Sequence, residues 1–238
     1  MEKFKKYQCL SGSVLKVFAV ASMVIDHIAS ILIFDDTWKL DMTVEQVNHL
    51  YAVMRLIGRL AFPLYAFLLV EGFTLTKNRK KYGIRLSIFA LLSEIPWDLS
   101  HFHSFFYLRG QNVIFTLLLG FLGLCVLEDL EKKHDKKDVL YLLGLLFASI
   151  LLNADFGWSG FGFILLLWVL RKLPIHRAII GSCFLHSGWR AGLAFIPICL
   201  YNGKRGFIKA KWLKLLFYAI YPLHLLILYL IKRKLGGF

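Results

Sequence analysis

The chain has few acidic residues, and this shortage bears on the partners it can have. Asp and Glu total 15 against 29 Lys and Arg, which gives a formal net charge of +14. A basic chain can bind nucleic acid through a basic face with interleaved stacking aromatic side chains. Here the basic residues fall in short runs between apolar stretches instead. We therefore expect no nucleic-acid partner.

Cysteine is also scarce, and the spacing of the cysteines indicates neither metal binding nor disulfide bonding. Cys9, Cys125, Cys183 and Cys199 are scattered, and no C-x-x-C pair occurs. Neither a zinc site nor a disulfide framework is indicated by this pattern. We expect the cysteines to be small apolar residues within spans, and we expect no metal.

Apolar residues, by contrast, are in excess. They make up 58% of the chain, and the mean hydropathy is +0.62. Soluble domains contain roughly 45–50% apolar residues, so the surplus must face lipid. A helical span needs about 20 apolar residues. The candidate spans are 13–34, 50–72, 83–100, 112–128, 138–153, 157–171, 174–186, 188–202 and 212–232.

These spans predict an all-α fold, a polytopic transmembrane helical bundle of about nine spans (between eight and ten). We expect a single integral-membrane domain over residues 1–238, without a cleavable signal peptide. The stretches 174–186 and 188–202 are short and could form one span broken at Gly188.

The loops between the spans predict the orientation of the bundle. Lysine and arginine collect at the N-terminus and in segments 77–85, 131–137 and 204–211, whereas segments 35–49 and 98–111 contain few of them. Cytoplasmic loops carry such an excess of basic residues. We therefore expect a multi-pass protein of the inner membrane with a cytoplasmic N-terminus. Nine spans would place the basic C-terminal residues 232–234 outside, against the same rule.

Several spans carry polar or ionisable residues in their interior. A charge near the bilayer centre costs about 2.5–3.5 kcal/mol on insertion scales, so it needs a partner or a water-filled cavity. The direction of each span places these residues between mid-membrane and the outer face, and we expect them to share one polar cavity. They are Asp26, His27, Arg55, Arg59, Glu94, Asp98, Asn112 and His224, and Tyr221 lies near mid-membrane.

Within this band His27 is the candidate general base. An imidazole next to a carboxylate can take a proton from a reacting group. Asp26 precedes it directly, but adjacent helical residues point about 100° apart. Glu94 or Asp98 could instead be the acid that orients or charges the ring. Each of these residues could also serve only as a packing residue or a structural ion pair.

The arginines are candidates for binding an anion. Arg55 and Arg59 are four residues apart and share one helical face, and guanidinium groups bind phosphate or carboxylate oxygens in a fork geometry. The basic segments 77–85 and 204–211 could hold a phosphorylated cofactor. The positive-inside rule alone would also produce them.

The order of these motifs resembles the TraX family. The resemblance extends from about residue 13 to 231 and is least distinctive over 130–185. The motifs are Ile25-Asp26-His27-Ile28, Arg55-Leu56-Ile57-Gly58-Arg59-Leu60-Ala61-Phe62-Pro63, Ser93-Glu94-Ile95-Pro96-Trp97-Asp98, Asn112-Val113-Ile114-Phe115-Thr116-Leu117, Tyr201-Asn202-Gly203-Lys204-Arg205-Gly206 and Tyr218-Ala219-Ile220-Tyr221-Pro222-Leu223-His224.

The resemblance implies an integral-membrane acyltransferase. Its founding member acetylates the N-terminus of conjugative pilin, and related membrane enzymes acetylate sugars. Acetyl-CoA would enter from the cytoplasm, and His27 would activate an amine or hydroxyl acceptor from the other face: a protein N-terminus, a glycan or a lipid. Arg55 and Arg59 would bind the thioester oxygen or the cofactor. The remaining cofactor contacts would come from Asn112, Tyr221, His224, Lys204 and Arg205.

Two other functions fit the same residues. Intramembrane carboxylates and histidines serve proton relays, so the chain could be a proton-coupled transporter or a lipid scramblase. The paired broken spans of an inverted repeat, which often accompany transport, are not evident. The third possibility is a non-catalytic assembly factor for a surface or conjugation apparatus, whose polar residues would tolerate replacement.

Overall fold

The computed structural model describes residues 6–34, 42–185 and 188–236, and helices make up most of these ranges. Lys3, Lys5 and the acidic residues Asp35, Asp36 and Asp41 of segment 35–49 lie outside the described residues. The helices are α1 (Gly12–Ile28, continued by a π-helical turn, Ala29–Ile33), α2 (Val44–Gly58), α3 (Ala61–Leu75), α4 (Arg79–Phe102), α5 (Val113–Lys133), α6 (Lys136–Leu151), α7 (Gly157–Val169), α8 (Pro174–Phe184), α9 (Trp189–Gly192), α10 (Phe195–Cys199) and α11 (Lys211–Lys234).

Short polar side chains determine where the long helices begin. Ser11, Thr43, Asn78, Asn112 and Asp135 each accept a hydrogen bond from an amide in the first turn of the helix that follows. The first amides of a helix have no partner within it, so a side-chain oxygen at this position stabilises the end. These caps separate one long apolar stretch from the next.

Proline residues break or distort the helices at specific points. Pro63 has no amide hydrogen for the carbonyl group of Arg59, and its ring crowds that group. The helix accordingly breaks at Arg59 and Leu60, between α2 and α3. Pro96 and Pro222 lie inside α4 and α11. A π-helical turn, a feature often found at functional sites, follows α1 directly.

Four helical segments among the described residues are long and apolar enough to cross a membrane. They are Gly12–Ile33, Val44–Leu75, Val113–Lys133 and Lys211–Lys234. The prediction of a helical bundle with membrane-spanning helices is confirmed to this extent. The number of spans and the orientation of the N-terminus stay predictions.

The two spans predicted at 174–186 and 188–202 are too short to cross a membrane separately. Helix α8 has 11 residues and rises about 16 Å, roughly half of a hydrocarbon core. Arg177 near its start interacts electrostatically with both Glu71 and Cys199, and Cys199 ends α10. The segment from α8 to α10 therefore enters the bundle and returns to the end at which it began.

The first and last long helices run in the same direction. Near the start of α1, Lys16 lies within electrostatic range of Arg205 and Lys214, just before and within α11. Further along, His27 of α1 contacts His224 of α11. We call the level of Lys16, Arg205 and Lys214 the basic end, and the level of His27 and His224 the histidine end. The bundle thus begins α1 at the basic end and finishes α11 at the histidine end.

Glycines allow α5 and α7 to pack closely. A Cβ atom at Gly120 would overlap the Ile164 side chain, and one at Gly123 would press on Phe161. Both partners are buried in the core. The close approach carries the start of α5 and the loop before α7 to the histidine end.

We predict that Gly120→Ala destabilises the protein and that Gly144→Ala does not. Overpacking a core costs about 1–3 kcal/mol, whereas a Cβ at Gly144 in α6 meets nothing within 4 Å. The Gly144 change should be neutral or stabilise by up to about 1 kcal/mol through helix propensity. Thermal unfolding in the same detergent measures both. Equal midpoints for the two variants would contradict this packing.

We also predict that the two chain ends lie on opposite sides of the membrane, with the basic end in the cytoplasm. A fluorescent protein fused to the N-terminus should fluoresce, and alkaline phosphatase fused to the C-terminus should be active. A phosphatase fusion in the turn between α3 and α4, at the basic end, is the control and should be inactive. Activity of both phosphatase fusions would refute the arrangement.

Candidate functional site

A cavity of about 380 Å³ runs through the bundle from the basic end to the histidine end. Helices α1, α3, α4, α5 and α11 supply most of its wall. Such a volume is typical of small-molecule sites, which range from roughly 300 to 1,000 Å³. Its two ends differ in the chemistry of the side chains that line them.

Four cations from separate parts of the chain line the basic end. They are Lys16, Arg85, Arg205 and Lys214. Arg205, Lys214 and Arg85 all act electrostatically on the Lys16 ammonium group, and no carboxylate of the described residues does so. Mutual repulsion among four cations favours an anionic occupant between them. This end of the cavity therefore has the charge expected of a phosphate site.

Glu71 forms a separate polar contact near the basic end. Its carboxylate faces the Tyr201 hydroxyl and interacts with Arg177. Tyr201 lies in the loop before α11, and burial, with the nearby Glu71 carboxylate, raises the pKa of its phenol to about 12. Tyr201 is thus a neutral hydrogen-bond donor to Glu71 at physiological pH.

At the histidine end, His27 is bonded to a second histidine. Its Nδ1 lies 2.6 Å from Nε2 of His224, and the two rings stack with centroids 4.9 Å apart. Both side chains are buried. Nδ1 of His224 in turn lies 2.8 Å from the backbone oxygen of Ile220.

The Ile220 carbonyl determines the proton positions in both neutral rings. A carbonyl oxygen only accepts, so Nδ1 of His224 carries a proton, and its Nε2 is an acceptor. Nδ1 of His27 must then donate to that Nε2. The lone pair of His27 is left on Nε2. Since His27 lines the cavity, this nitrogen is positioned as a base.

Asp26, which precedes His27, pairs with an arginine. Arg55 Nη1 donates to Asp26 Oδ2 at 2.6 Å. Gly58 packs so closely against Asp26 that a Cβ atom there would overlap the carboxyl group. Asp26 Oδ1 is buried and has no hydrogen-bond partner among the described residues. Arg59, at the break before α3, acts electrostatically on the same carboxylate.

The expectation that Asp26, Glu94 or Asp98 contacts His27 is wrong in this geometry. Glu94 accepts a hydrogen bond from the amide of Asn112 at 2.9 Å and another from its side chain. Asp98 accepts from the Tyr107 amide at 2.8 Å. These acids instead hold α4 against the loop and the start of α5.

Several other predicted residues also lie away from the cavity. Arg55 forms an ion pair with Asp26 and does not line the cavity. Asn112 is fully buried, caps α5 and donates to the Ala90 carbonyl at 2.9 Å. Lys204 is exposed. The predicted residues that do line the cavity are Asp26, His27, Arg59, Arg205 and Tyr221.

Asp155 is a cavity residue that the sequence analysis did not select. It lies in the loop between α6 and α7, where its backbone is bonded to Gln111 and Thr116. Burial and the Asp26 carboxylate raise its pKa to about 6, and Arg59 opposes this. No local pattern in the sequence shows that this loop folds inward, so the sequence carried no signal for Asp155.

Lys16 and Lys214 were likewise not selected as site residues, and Arg85 was considered only as part of the basic segment 77–85. The three cations lie on three separate helices, and each pair of them is at least 69 residues apart in the sequence. A lysine inside the first apolar stretch was the available signal for Lys16.

The arrangement separates two chemical tasks along one channel. Lys16 and His27 are 11 residues apart on α1, which corresponds to about 16 Å along the helix. The basic end can hold an anionic group, and the histidine end can remove a proton from a second reactant.

Comparison with protein-family models assigns the chain to one family. The model of the family described as TraX protein matches residues 11–232. The chain is also similar to the probable fimbrial assembly protein FimC, serogroup H1, of Dichelobacter nodosus. The two are 27% identical over 245 residues, which cover 90% of this chain and 92% of that protein. No solved structure matches significantly.

We predict that His27 and His224 are both protonated on Nδ1 at neutral pH. Nitrogen NMR of histidine-labelled protein in lipid nanodiscs reports the tautomer, and His27→Gln and His224→Gln assign the two signals. His176→Gln, at an exposed position of α8, is the control and should leave both signals unchanged. An Nε2-protonated form of either ring would contradict the proposed bonding.

Proposed function

The chain belongs to the TraX family, and we propose that it is an integral-membrane acyltransferase. It moves an acetyl group from cytoplasmic acetyl-CoA to an amine or hydroxyl acceptor that arrives from the outer face of the inner membrane. The observation that carries this proposal is the single cavity that joins four cations at one end to a base at the other.

The basic end fits the phosphates of CoA. Lys16, Arg85, Arg205 and Lys214 converge there from separate helices and a loop. Arginine and lysine are the usual phosphate-binding residues. The positive-inside rule places this end in the cytoplasm, where acetyl-CoA is available.

The length of the cavity fits the remainder of the cofactor. A flexible arm links the phosphates of CoA to its thioester, and it must cover the distance of about 16 Å between Lys16 and His27. An arm that follows the cavity brings the thioester carbonyl next to His27. Arg59 and Asp155 line the wall at the same level.

His27 is the base in this mechanism. The acceptor's nitrogen or oxygen attacks the thioester carbon, and its proton passes to Nε2 of His27. The tetrahedral intermediate then collapses, the carbon–sulfur bond breaks, and His27 returns the proton to the CoA sulfur. The products are the acetylated acceptor and CoA, with no net change in protons.

His224 orients the base. It holds His27 in the tautomer that leaves Nε2 unprotonated, which is the task of the carboxylate in a Ser-His-Asp triad. A neutral histidine adds no charge to a low-dielectric site, whereas a buried carboxylate would need compensation.

The name of the similar protein from Dichelobacter nodosus supports a narrower class of acceptor. It also supports a second function. That protein is called a fimbrial assembly protein, so a subunit of a surface fibre is a reasonable acceptor. The same name would suit a non-catalytic assembly factor. That alternative requires that replacement of His27 leaves the biological function intact.

We predict that His27→Gln lowers acetyl transfer by about 10²–10⁴-fold, the usual contribution of a general base. Lys16→Gln should instead raise KM for acetyl-CoA about tenfold or more, because it removes a charged contact worth about 1.5–3 kcal/mol. Release of CoA from radiolabelled acetyl-CoA, with hydroxylamine as a surrogate acceptor, measures both.

Lys209→Gln is the matched control for the loss of charge. Lys209 is exposed, belongs to the same basic segment as Arg205, and does not line the cavity. Its KM should equal that of the wild type. If wild-type protein neither binds nor consumes acetyl-CoA, and His27→Gln behaves identically, the acyltransferase proposal fails.

A further inference from the structure

We propose that the Tyr221 hydroxyl donates a hydrogen bond to the oxygen of the acyl carbonyl and stabilises the negative charge that develops there. This inference rests on the proposed acyl transfer and assigns a catalytic role to Tyr221 beyond that of a cavity wall. It follows from the position of Tyr221 and from the groups around its hydroxyl.

Tyr221 lies beside the base. Its ring centroid is 6.0 Å from that of His27 and 5.6 Å from that of His224, both in edge-to-face arrangements. Tyr221 and His27 line the same end of the cavity. A carbonyl group placed for attack near Nε2 of His27 therefore lies within the space that Tyr221 also borders.

The Tyr221 hydroxyl is buried without a hydrogen bond. The residue is 6% exposed, and its oxygen has no partner among the described residues. Buried tyrosine hydroxyls normally find a partner. An unpartnered donor at the wall of a cavity is a position where a ligand oxygen completes the bonding.

The surroundings of this hydroxyl favour donation into the cavity. The Val113 amide, at the start of α5, faces the phenol oxygen, although it falls short of hydrogen-bond geometry. The next amide, that of Ile114, is already bonded to the Asn112 side chain. Free amides at a helix start carry partial positive charge. An amide behind the phenol oxygen makes its proton a better donor, and that proton remains available to a ligand.

Two carboxyl groups could compete for the proton, but neither takes it. Asp155 and Glu94 both act electrostatically on Tyr221. Glu94 is occupied by Asn112, and Asp155 makes no hydrogen bond to the phenol. The thioester oxygen is therefore the acceptor for the hydrogen bond that the Tyr221 hydroxyl donates.

The role in the reaction is electrostatic and leaves Tyr221 unchanged. When the acceptor's nitrogen or oxygen attacks the thioester carbon, the carbonyl π electrons move to the oxygen. The Tyr221 O–H bond points at that oxygen and stabilises its charge. When the carbon–sulfur bond breaks, the carbonyl re-forms and CoA takes the proton held by His27. Removing one such donor typically costs about 10²–10³-fold in kcat.

The test compares Tyr221→Phe with Tyr229→Phe. Tyr229 lies two turns further along α11 and does not line the cavity. Tyr221→Phe should lower kcat for CoA release to hydroxylamine about a hundredfold and change KM for acetyl-CoA less than about threefold. Tyr229→Phe should match the wild type. Thermal unfolding verifies that both variants are folded.

An infrared measurement on the bound cofactor separates donation from a structural effect. With isotope-labelled acetyl-CoA, the carbonyl band of the wild-type complex should lie at lower frequency than in water-free solvent. Tyr221→Phe should remove that shift. Fluorotyrosine at position 221, a stronger donor, should increase it, and this variant tests the idea even if Tyr221→Phe does not fold.

The outcomes distinguish this inference from the proposed function. If the wild type transfers acetyl groups and Tyr221→Phe retains its kcat and the band position, Tyr221 is not the donor and the acyltransferase proposal stands. If Tyr221→Phe raises KM alone, Tyr221 only binds the cofactor and the inference is overturned. If the wild type shows no turnover and no bound carbonyl band, both proposals fall.

Discussion

The site depends on one buried hydrogen bond between two histidines, His27 and His224. The bond joins the first long helix to the last and, through the Ile220 carbonyl, fixes the proton on a definite nitrogen of each ring. A charged ring at this depth would be costly, so the resting pair is best kept neutral and bonded. Trp97 and His101 pack at the edges of His27 and restrict its ring further.

The backbone is irregular near the histidine end at two places, after α1 and between α2 and α3. The π-helical turn follows His27 after one residue, and Pro63 forces the break that places Arg59. Pro96 and Pro222 lie close to Trp97 and Tyr221 in sequence. Irregular backbone inside a membrane is tolerated where it lies within protein or lines a cavity.

Much of this architecture could be read from the sequence, since apolar length and capping residues are local signals. The helices near 13–34, 112–128 and 212–232 were predicted close to their bounds, and the family was recognised from ordered motifs. The partner of His27 could not be predicted. Near His27 in the sequence, acids outnumber the other candidate partners. Asp26, however, forms an ion pair with Arg55. The residue that contacts His27 is His224, which lies 197 residues away. Asp155 was missed because only tertiary folding turns its loop inward. The stretch 174–202 stayed open between one span and two because apolar composition does not show whether a chain crosses the membrane or turns back halfway.

The joining of α1 to α11 also has a consequence for biosynthesis. On the ribosome, His27 is made 197 residues before His224, so the first histidine is without its partner while the intervening helices are inserted. An interrupted or truncated chain thus lacks both the second histidine and Tyr221, although it already contains most of the basic end. Under the proposed mechanism, reactivity toward a thioester would appear only after the segment that carries Tyr221 and His224 has been made.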